Sequence, residues 1–262
     1  MRGTDRTGFV IQERDRRLLM ELATMRVLDR EQAKIVAGFG STTRVNHRLL
    51  GLTRAGFVRR FFLGTTGPGM KALYTLSAQG ARLIGVPLRG PQRRQDETLA
   101  ADFFVEHQLR VNEVHCALKF GALPTGVSFR RWVTFFAPIA QGLRLIPDGY
   151  AELVNPAGTT ALFLEVDLGH EHGPVWRKKV EHYLQFAMMG TPEGAGIHRP
   201  FRVLVVAPGA RRVESLRKGV GRLTEKIFWF ATLESIRGKG LFAPVWRRPT
   251  GQDPLPLIKE IP

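Results

Sequence analysis

The sequence predicts an α+β protein with two domains, and three observations support this interpretation. Residues 9–86 have the pattern of three helices, a pair of strands and a short helix. Residues 98–262 have the pattern of one long helix followed by strands that alternate with helices. Between them, residues 87–97 combine proline, glycine and a run of polar side chains, which is typical of a linker.

The composition favours a partner that carries many negative charges. The formal net charge is +16 and the sequence pI is about 11.0, so we expect nucleic acid, with an anionic membrane as the weaker alternative. No run approaches the roughly 18 apolar residues of a membrane span, and residues 1–8 lack the apolar core of a secretion signal. Cys116 is the single cysteine, which excludes an intrachain disulfide and a cysteine-based zinc site. We therefore expect a cytoplasmic protein without a membrane partner.

The first domain begins with three helical patterns. Apolar residues recur at helical spacing in residues 10–24, a second short helix begins near Asp29, and Ser41 caps a third helix. The strands 57–63 and 70–76 flank a glycine-rich loop and predict a β-hairpin. Three helices followed by a hairpin form a winged helix-turn-helix, in which the third helix enters the major groove of DNA.

The same domain contains a long segment without acidic residues. From Gln32 to Gln95 there is no Asp or Glu, although ordinary protein surfaces intersperse both signs of charge. The positive residues of this segment are Lys34, Arg44, Arg48, Arg54, Arg59, Arg60, Lys71, Arg82, Arg89, Arg93 and Arg94. This excess predicts a surface for a polyanion, and the alternative is a basic face that only keeps the protein soluble.

The third helix and the hairpin provide the candidate contacts to double-stranded DNA. The helix turns its apolar stripe to one side and most of its polar residues to the other, so Thr43, Arg44 and His47 are candidates for reading bases. The basic residues of the hairpin are candidates for phosphate contacts. The predicted contacts are Thr43, Arg44, His47, Arg48, Arg54, Arg59, Arg60 and Lys71.

The second domain places acidic residues on neighbouring strands. Residues 161–168 alternate with period two, so Glu165 and Asp167 share one face. The turn at residues 155–158 predicts a hairpin that pairs this strand with the one that carries Asp148. This pairing brings three carboxylates together, and a divalent cation, Mg²⁺ or Mn²⁺, is the usual reason that such a cluster is tolerated. The alternative is that the acids are solvated or paired with arginines.

A helix and further strands complete the second domain. The helix predicted over residues 175–188 places Lys179 and Tyr183 one turn apart, on the flank of its core stripe. Residues 201–207 are nearly all apolar, as in a central strand, and a basic helix follows them. Late edge strands are predicted at residues 227–233 and 241–246. The order of these elements predicts an α/β sandwich around one mixed sheet.

These residues carry a resemblance to a known family. Asp148 after Pro147 on one strand, Glu165 and Asp167 on the next and Lys179 on the following helix resemble the PD-(D/E)xK nuclease superfamily, with its restriction-endonuclease-like core. More narrowly, a winged helix joined to such a core resembles the replication-relaxation family of plasmid and mobile-element proteins. Further matching segments are residues 74–80 and 107–113, and the resemblance extends over about residues 11–216. It implies DNA binding connected with plasmid replication, relaxation or transfer.

One position departs from the superfamily pattern, because Asp167 stands where active members carry a lysine. In an active version, the resemblance implies that Lys179 replaces this lysine, and that Asp148 and Glu165, with Asp167, hold Mg²⁺ or Mn²⁺. In an inactive version, the acids are structural or bind a partner. Accessory candidates are Tyr183 and Glu113, the latter because the first helix of the superfamily often contributes a glutamate.

Three hypotheses for function follow from these patterns. The leading one is a DNA-binding protein of replication-relaxation type whose second domain is nuclease-like. The alternatives are an active endonuclease that cleaves or nicks DNA, and a dimeric transcriptional repressor that needs only the first domain. Whether the protein is an enzyme and whether it forms a homodimer are left open. No phosphate-binding Gly-Lys-Ser/Thr loop is present, so we expect no nucleotide cofactor.

Overall fold

The computed structural model describes residues 9–64, 69–189, 197 and 200–258, and it confirms an α+β protein with mixed sheets. The chain divides into two compact units between Cys116 and Ala117. One sheet has the strand order β1-β3-β2-β4, and the other has the order β5-β6-β7-β8-β9. Each sheet contains both antiparallel and parallel pairs.

The elements follow the predicted order with a few additions. The helices are α1 (Glu13–Met25), α2 (Arg30–Val36), α3 (Thr42–Arg54), α4 (Ala78–Ile84), α5 (Phe103–Phe120), α6 (Gly173–Met188), α7 (Ala210–Gly221) and α8 (Leu233–Lys239). The strands are β1 (Leu28–Asp29), β2 (Val58–Gly64), β3 (Met70–Leu76), β4 (Thr98–Leu99), β5 (Ser128–Val133), β6 (Gly149–Asn155), β7 (Gly158–Val166), β8 (Phe201–Ala207) and β9 (Phe228–Thr232).

In the first unit, α3 begins where a side chain caps its free backbone groups. The Ser41 hydroxyl accepts a hydrogen bond from the Arg44 backbone N–H, which is the usual contribution of serine at a helix start. Val45, Leu49 and Leu52 of α3 are buried, so this stripe fixes the helix against the unit. Strands β2 and β3 then form an antiparallel hairpin, whose tip at residues 65–68 lies outside the described part of the chain.

The segment predicted as a linker contributes structure to the first unit. The backbone N–H of Asp96 donates to the Arg60 carbonyl at 2.7 Å, and the backbone N–H of Phe62 donates to the Glu97 carbonyl at 2.7 Å. Thr98 and Leu99 then pair with β2 as a parallel strand. The predicted boundary between residues 97 and 98 therefore differs from the observed one at 116/117.

Helix α5 joins the first unit through apolar packing and buried hydrogen bonds. Val105 and Leu109 share a core cluster with Val27 and with side chains of β2 and β3. The Asn112 side chain donates to two backbone carbonyls, those of Met25 at 3.0 Å and Val27 at 2.6 Å. Buried carbonyls need such partners, so Asn112 fixes α5 to the chain between α1 and β1.

In the second unit, the core lies between the sheet and helices α6 and α7. Tyr150, Phe163, Tyr183 and Phe201 meet there with ring centroids 5.0 to 6.4 Å apart in several pairs. The hairpin of β6 and β7 turns at residues 155–158, as the sequence predicts, and β7, β8 and β9 are parallel.

The late edge strand predicted at residues 227–233 is present as β9, whereas the strand predicted at 241–246 is wrong and a helix was missed. The segment 241–246 is not a regular strand, and only Trp246 within it forms a bridge, to Leu255. Residues 233–239 form helix α8, which starts where the Thr232 hydroxyl accepts from the Ser235 backbone N–H at 2.9 Å. The sequence signal missed there was the cap, since threonine is a common helix N-cap.

Candidate functional site

Neighbouring strands of the second unit bring Asp148 and Glu165 together. In the hairpin, Gly149 pairs with Leu164, so one step further along the same register Asp148 falls opposite Glu165. Side chains at opposite positions of an antiparallel pair are neighbours. One Asp148 carboxylate oxygen accepts from the Val166 backbone N–H at 2.7 Å, which extends the pairing beyond the end of β6.

Gly149 allows the tight approach of an aromatic ring beside Asp148. A Cβ atom at Gly149 would lie 2.1 Å from Cζ2 of Trp132, which is inside contact distance. Glycine is therefore required here by packing, and the Trp132 indole covers the backbone that carries Asp148.

Helix α6 adds a lysine and a tyrosine to the Glu165 carboxylate. The Lys179 ammonium donates to one Glu165 oxygen at 2.9 Å, and the Tyr183 hydroxyl donates to the other at 2.6 Å. Because Lys179 and Tyr183 are four residues apart, one face of the helix supplies both donors. We call Asp148, Glu165, Lys179 and Tyr183 the acidic site.

Burial and charge shift the proton equilibria of the acidic site. Burial raises the pKa of Glu165 to about 7, an effect that Lys179 opposes and the charge of Asp148 reinforces. Burial would by itself lower the pKa of Lys179, but the negative charges of Glu165, Glu171 and Asp148 outweigh it and raise that pKa. Near neutral pH, therefore, both the protonated and the ionised form of Glu165 are populated, whereas Lys179 stays charged.

Glu171 is a member of this neighbourhood that sequence reasoning missed. Both of its carboxylate oxygens lie 2.9 Å from the Lys179 Nζ. It lies in the loop between β7 and α6, flanked by the exposed His170 and His172. A loop residue has no periodicity that could indicate its partner, so the sequence carried no signal for this contact.

Asp167, the third predicted metal ligand, is held by other partners than the residues of the acidic site. Its carboxylate accepts two hydrogen bonds from the Arg212 guanidinium, both at 2.8 Å, and one from the Trp176 indole. The Gly169 backbone N–H donates to it as well, at 2.7 Å. Burial alone would raise the pKa of Asp167, but the bonds from Arg212, Trp176 and Gly169 outweigh it and hold that pKa low. The alternative of pairing with an arginine is what the structure has at this position.

The predicted three-carboxylate metal site is therefore not assembled. Among the described residues, no group of three or more His, Cys, Asp or Glu side chains could hold a metal ion. Asp148 and Glu165 remain as two neighbouring carboxylates. Two carboxylates fit Mg²⁺, which usually binds one or two protein carboxylates together with substrate phosphates.

The first unit presents positive and polar side chains on one side of α3. Thr43, Arg44, His47 and Arg54 are exposed, and Arg59 is exposed on β2. We call these five residues the basic surface. The groove beside it, of about 630 Å³, is lined by α3, β2 and the start of α4.

Three of the predicted DNA contacts are paired with carboxylates inside the first unit. Arg48 donates to the buried Asp15 carboxylate, with one bond at 2.7 Å, and to the Val10 carbonyl. Ion pairs also join Arg60 to Asp96 at 2.7 Å and Lys71 to Asp29 at 2.9 Å. Since these acids lie outside the acid-free segment, counting charges within the segment overstated its free positive charge.

Comparison with protein families adds one result to this geometry. A sequence profile described as replication-relaxation matches residues 19–198. The chain belongs to the replication-relaxation family. Membership suggests a role in replication or relaxation. No curated protein and no solved structure matched the chain in the same comparisons.

The replication-relaxation match includes both the basic surface and the acidic site, and it ends before β8. Within it, the family-like segment 107–113 is structural: the Gln108 side chain donates to Asn112, which fixes α5 as described above. Glu113, predicted as an accessory to the acids, accepts from Arg110 at 3.4 Å within the first unit.

Among the helices that the structure describes, none combines the length and apolar character needed to cross a membrane.

Proposed function

We propose that the first unit is a winged helix-turn-helix that binds double-stranded DNA, and that this binding serves the replication or relaxation role of the family. The observation that carries the proposal is the two-sided character of α3. Its apolar stripe is buried, while Thr43, Arg44 and His47 are exposed on the side that would face a groove.

Charge and shape around α3 support this proposal. Arg54 and Arg59 line the groove beside the helix, and Asp96, which also lines it, is paired with Arg60. The net charge of the chain is +16, which favours association with a polyanion at a distance. We assign base reading to Thr43, Arg44 and His47, and phosphate contacts to Arg54 and Arg59.

The test is duplex binding measured by fluorescence anisotropy at low and at physiological salt. We expect affinity for unrelated duplexes at low salt, with Arg44→Ala and Arg59→Ala each weakening binding about tenfold, since a charge-assisted hydrogen bond contributes about 1.5–3 kcal/mol. Arg17→Ala is the matched control, because Arg17 is an exposed arginine on α1. No duplex binding at low salt, or an equal loss in the control, would contradict the proposal.

A second candidate function is metal-dependent cleavage of DNA by the second unit, whose core we propose to be a nuclease-like sandwich. The position of Lys179 favours this function. In active members of the superfamily the lysine follows on the strand, where this chain has Asp167, but here Lys179 reaches Glu165 from α6. In this function Asp148 and Glu165 would hold Mg²⁺ or Mn²⁺, and the bound ion supplies charge neutralisation at the phosphate and a more acidic water.

In this proposed cleavage reaction, Glu165, Lys179 and Tyr183 have different roles. Glu165 must be ionised to bind a cation, and because burial raises its pKa to about 7, we expect cation binding to strengthen as the pH rises toward neutrality. Because the pKa of Lys179 is raised, this residue is a positive charge and hydrogen-bond donor near the phosphate rather than a base. Tyr183 orients Glu165 by its hydrogen bond.

Incubation of supercoiled plasmid with Mg²⁺ or Mn²⁺ tests this candidate. We expect nicked or linear product with the wild type and none with Asp148→Ala or Lys179→Ala. Lys178→Ala is the control, since Lys178 is the exposed neighbour on the same helix. Duplex binding is measured on the same samples, so that loss of cleavage with intact binding assigns the defect to the second unit. Absence of cleavage by the wild type in both metals would remove this candidate and leave the binding function in place.

A further inference from the structure

A pocket of about 270 Å³ lies in the second unit at the start of its parallel strands. It is lined by Thr159 and Thr160 of β7, Arg202 of β8, Trp229 of β9 and Arg248. Glu165 is five positions beyond Thr160 on β7, which at about 3.3 Å per residue corresponds to roughly 16 Å. The pocket is therefore distinct from the acidic site, which lies toward the other end of the same strand.

Two guanidinium groups lie close to one aromatic ring in this pocket. The Cζ atom of Arg202 lies 4.7 Å from the centroid of the Trp229 ring, and that of Arg248 lies 5.1 Å from the same centroid. Arg202 alternates along β8 with Phe201 and Val203, which are in the core beneath α6 and α7, so it projects from the opposite face of the sheet. Both positive groups therefore lie against the same indole.

Neither arginine is neutralised by a carboxylate among the residues that the structure describes. Arg202 donates to the Leu257 carbonyl, and Arg248 donates to the Glu225 carbonyl at 2.8 Å. The Nε–H of Arg248 is buried without a hydrogen-bond partner. Burial lowers the pKa of Arg202, and the nearby charge of Arg248 lowers it further. An arginine has five N–H donors, so most of the donors here have no partner among the described residues.

We propose that this pocket binds a phosphate group, which the guanidinium forks of Arg202 and Arg248 hold beside Trp229. The planar fork of arginine matches the spacing of phosphate oxygens. By the same alternation Thr160 of β7 lies on the face of the sheet that carries Arg202, so its hydroxyl is an additional donor for this pocket. The charge of Arg248 disfavours the charged form of Arg202, and a bound dianion or phosphodiester offsets that repulsion.

The volume of the pocket limits the size of the ligand that it can bind. A volume of about 270 Å³ is below the range of roughly 300–1,000 Å³ typical of drug-sized ligands, so it accommodates one phosphate group rather than a whole nucleotide. The phosphate can belong to a nucleic-acid backbone or be free in solution, and the two sources share this chemistry. The inference is independent of DNA binding by the first unit.

The first arm of the test uses inorganic phosphate and the full chain. We expect phosphate to raise the melting temperature and to change tryptophan fluorescence, compared with chloride at equal ionic strength. Arg202→Gln and Arg248→Gln should each weaken the phosphate effect at least tenfold, and Trp229→Phe should lose the fluorescence change. Arg211→Gln, at an exposed arginine on α7, should respond as the wild type does.

Circular dichroism shows whether each variant folds. If Arg202→Gln does not fold, Arg202→Lys replaces it in the binding measurement. Lysine keeps the charge but not the fork, so we expect this variant to fold and to bind phosphate at least tenfold more weakly. A wild type that shows no response to phosphate, or the same response in wild type, Arg202→Lys and Arg248→Gln, would overturn the proposal.

The second arm separates the sources of the phosphate group. A single-stranded oligonucleotide of about five nucleotides is titrated against the phosphate-dependent fluorescence change that requires Trp229. Displacement of phosphate by the oligonucleotide supports a nucleic-acid backbone as the natural ligand. Retention of phosphate supports a free phosphate or a small phosphorylated compound.

Discussion

The basic surface of the first unit and the acidic site of the second unit both concentrate charge, but they differ in where that charge is directed. On the basic surface, Arg44, Arg54 and Arg59 extend into solvent. In the acidic site, the charge of Glu165 is met by Lys179 at 2.9 Å inside the protein. Exposed positive charge can be used by an external polyanion at little cost to the fold. An internal charge is costly to leave without its partner, so a ligand must compete with that partner.

The same difference occurs within a single helix. Arg44 and Arg48 are one turn apart in α3, yet Arg44 is exposed while Arg48 is bound to Asp15. Composition alone treats the two arginines as equivalent. Their roles separate only because α1 places a carboxylate beside one of them.

The largest expected effect concerns the ion pair between Arg212 and Asp167. Arg212→Ala leaves the buried Asp167 carboxylate without its main partner, and we expect a loss of about 3–5 kcal/mol in the free energy of unfolding. Arg177→Ala is the control, because its pair with Glu181 is exposed and should contribute less than about 1 kcal/mol. Urea denaturation measures both. If both variants lost the same small amount of unfolding free energy, Asp167 would be solvated rather than bound to Arg212. Its carboxylate could then bind a metal ion, as the sequence predicts.

The pH dependence of stability gives a smaller effect. Since the folded-state pKa of Glu165 is about 7 and its ordinary value is 4.5, the folded state binds the proton more tightly over this interval. The unfolding free energy therefore falls as the pH rises from about 4.5 to 7, by an amount on the order of 3 kcal/mol at full ionisation.

Glu165→Gln should remove most of this decline, because glutamine does not titrate. Unfolding free energies of both proteins are compared at pH 5 and pH 7.5, with Lys178→Gln as a control of similar size on the exposed side of α6. Parallel pH profiles for wild type and Glu165→Gln would show that the Glu165 carboxylate keeps its ordinary pKa.

The smallest effects separate Arg44 from Arg48. Arg48→Ala should reduce the unfolding free energy by about 2 kcal/mol, because Asp15 is buried and loses its charged partner. Arg44→Ala should change stability by less than about 0.5 kcal/mol while reducing the salt dependence of DNA binding by about one phosphate contact. Denaturation of both variants measures the change in stability, and salt titration of DNA binding measures the change in phosphate contacts. A stability loss in Arg44→Ala as large as that in Arg48→Ala would break the distinction between exposed and internal charge.

Much of the architecture could be predicted from local patterns. The apolar stripe and serine cap of α3, the hairpin of β2 and β3 and the tight turn at residues 155–158 are encoded within short stretches, and each was placed within a few residues. The two-residue strands and the role of residues 95–99 were missed. Their pairing partners lie more than 30 residues away, where no local pattern reaches.

For the acidic site, alternation along β7 placed Glu165 and Asp167 on one face, but it could not assign their partners. Lys179 and Tyr183 were suggested by helical spacing, and they meet Glu165. Arg212, 45 residues from Asp167, had no sequence signal that linked it to that carboxylate.

The sequence by itself determined the element order, the two-part organisation, the charge excess and the residues that bring carboxylates to one end of a strand. Tertiary structure alone decided which charges are free, since it placed Asp15 beside Arg48 and Arg212 beside Asp167. It also brought Arg202 and Arg248 to the same indole. The physical reason is that periodicity sets the direction of a side chain relative to its own backbone, whereas electrostatic pairing depends on distances between segments that are far apart in the chain.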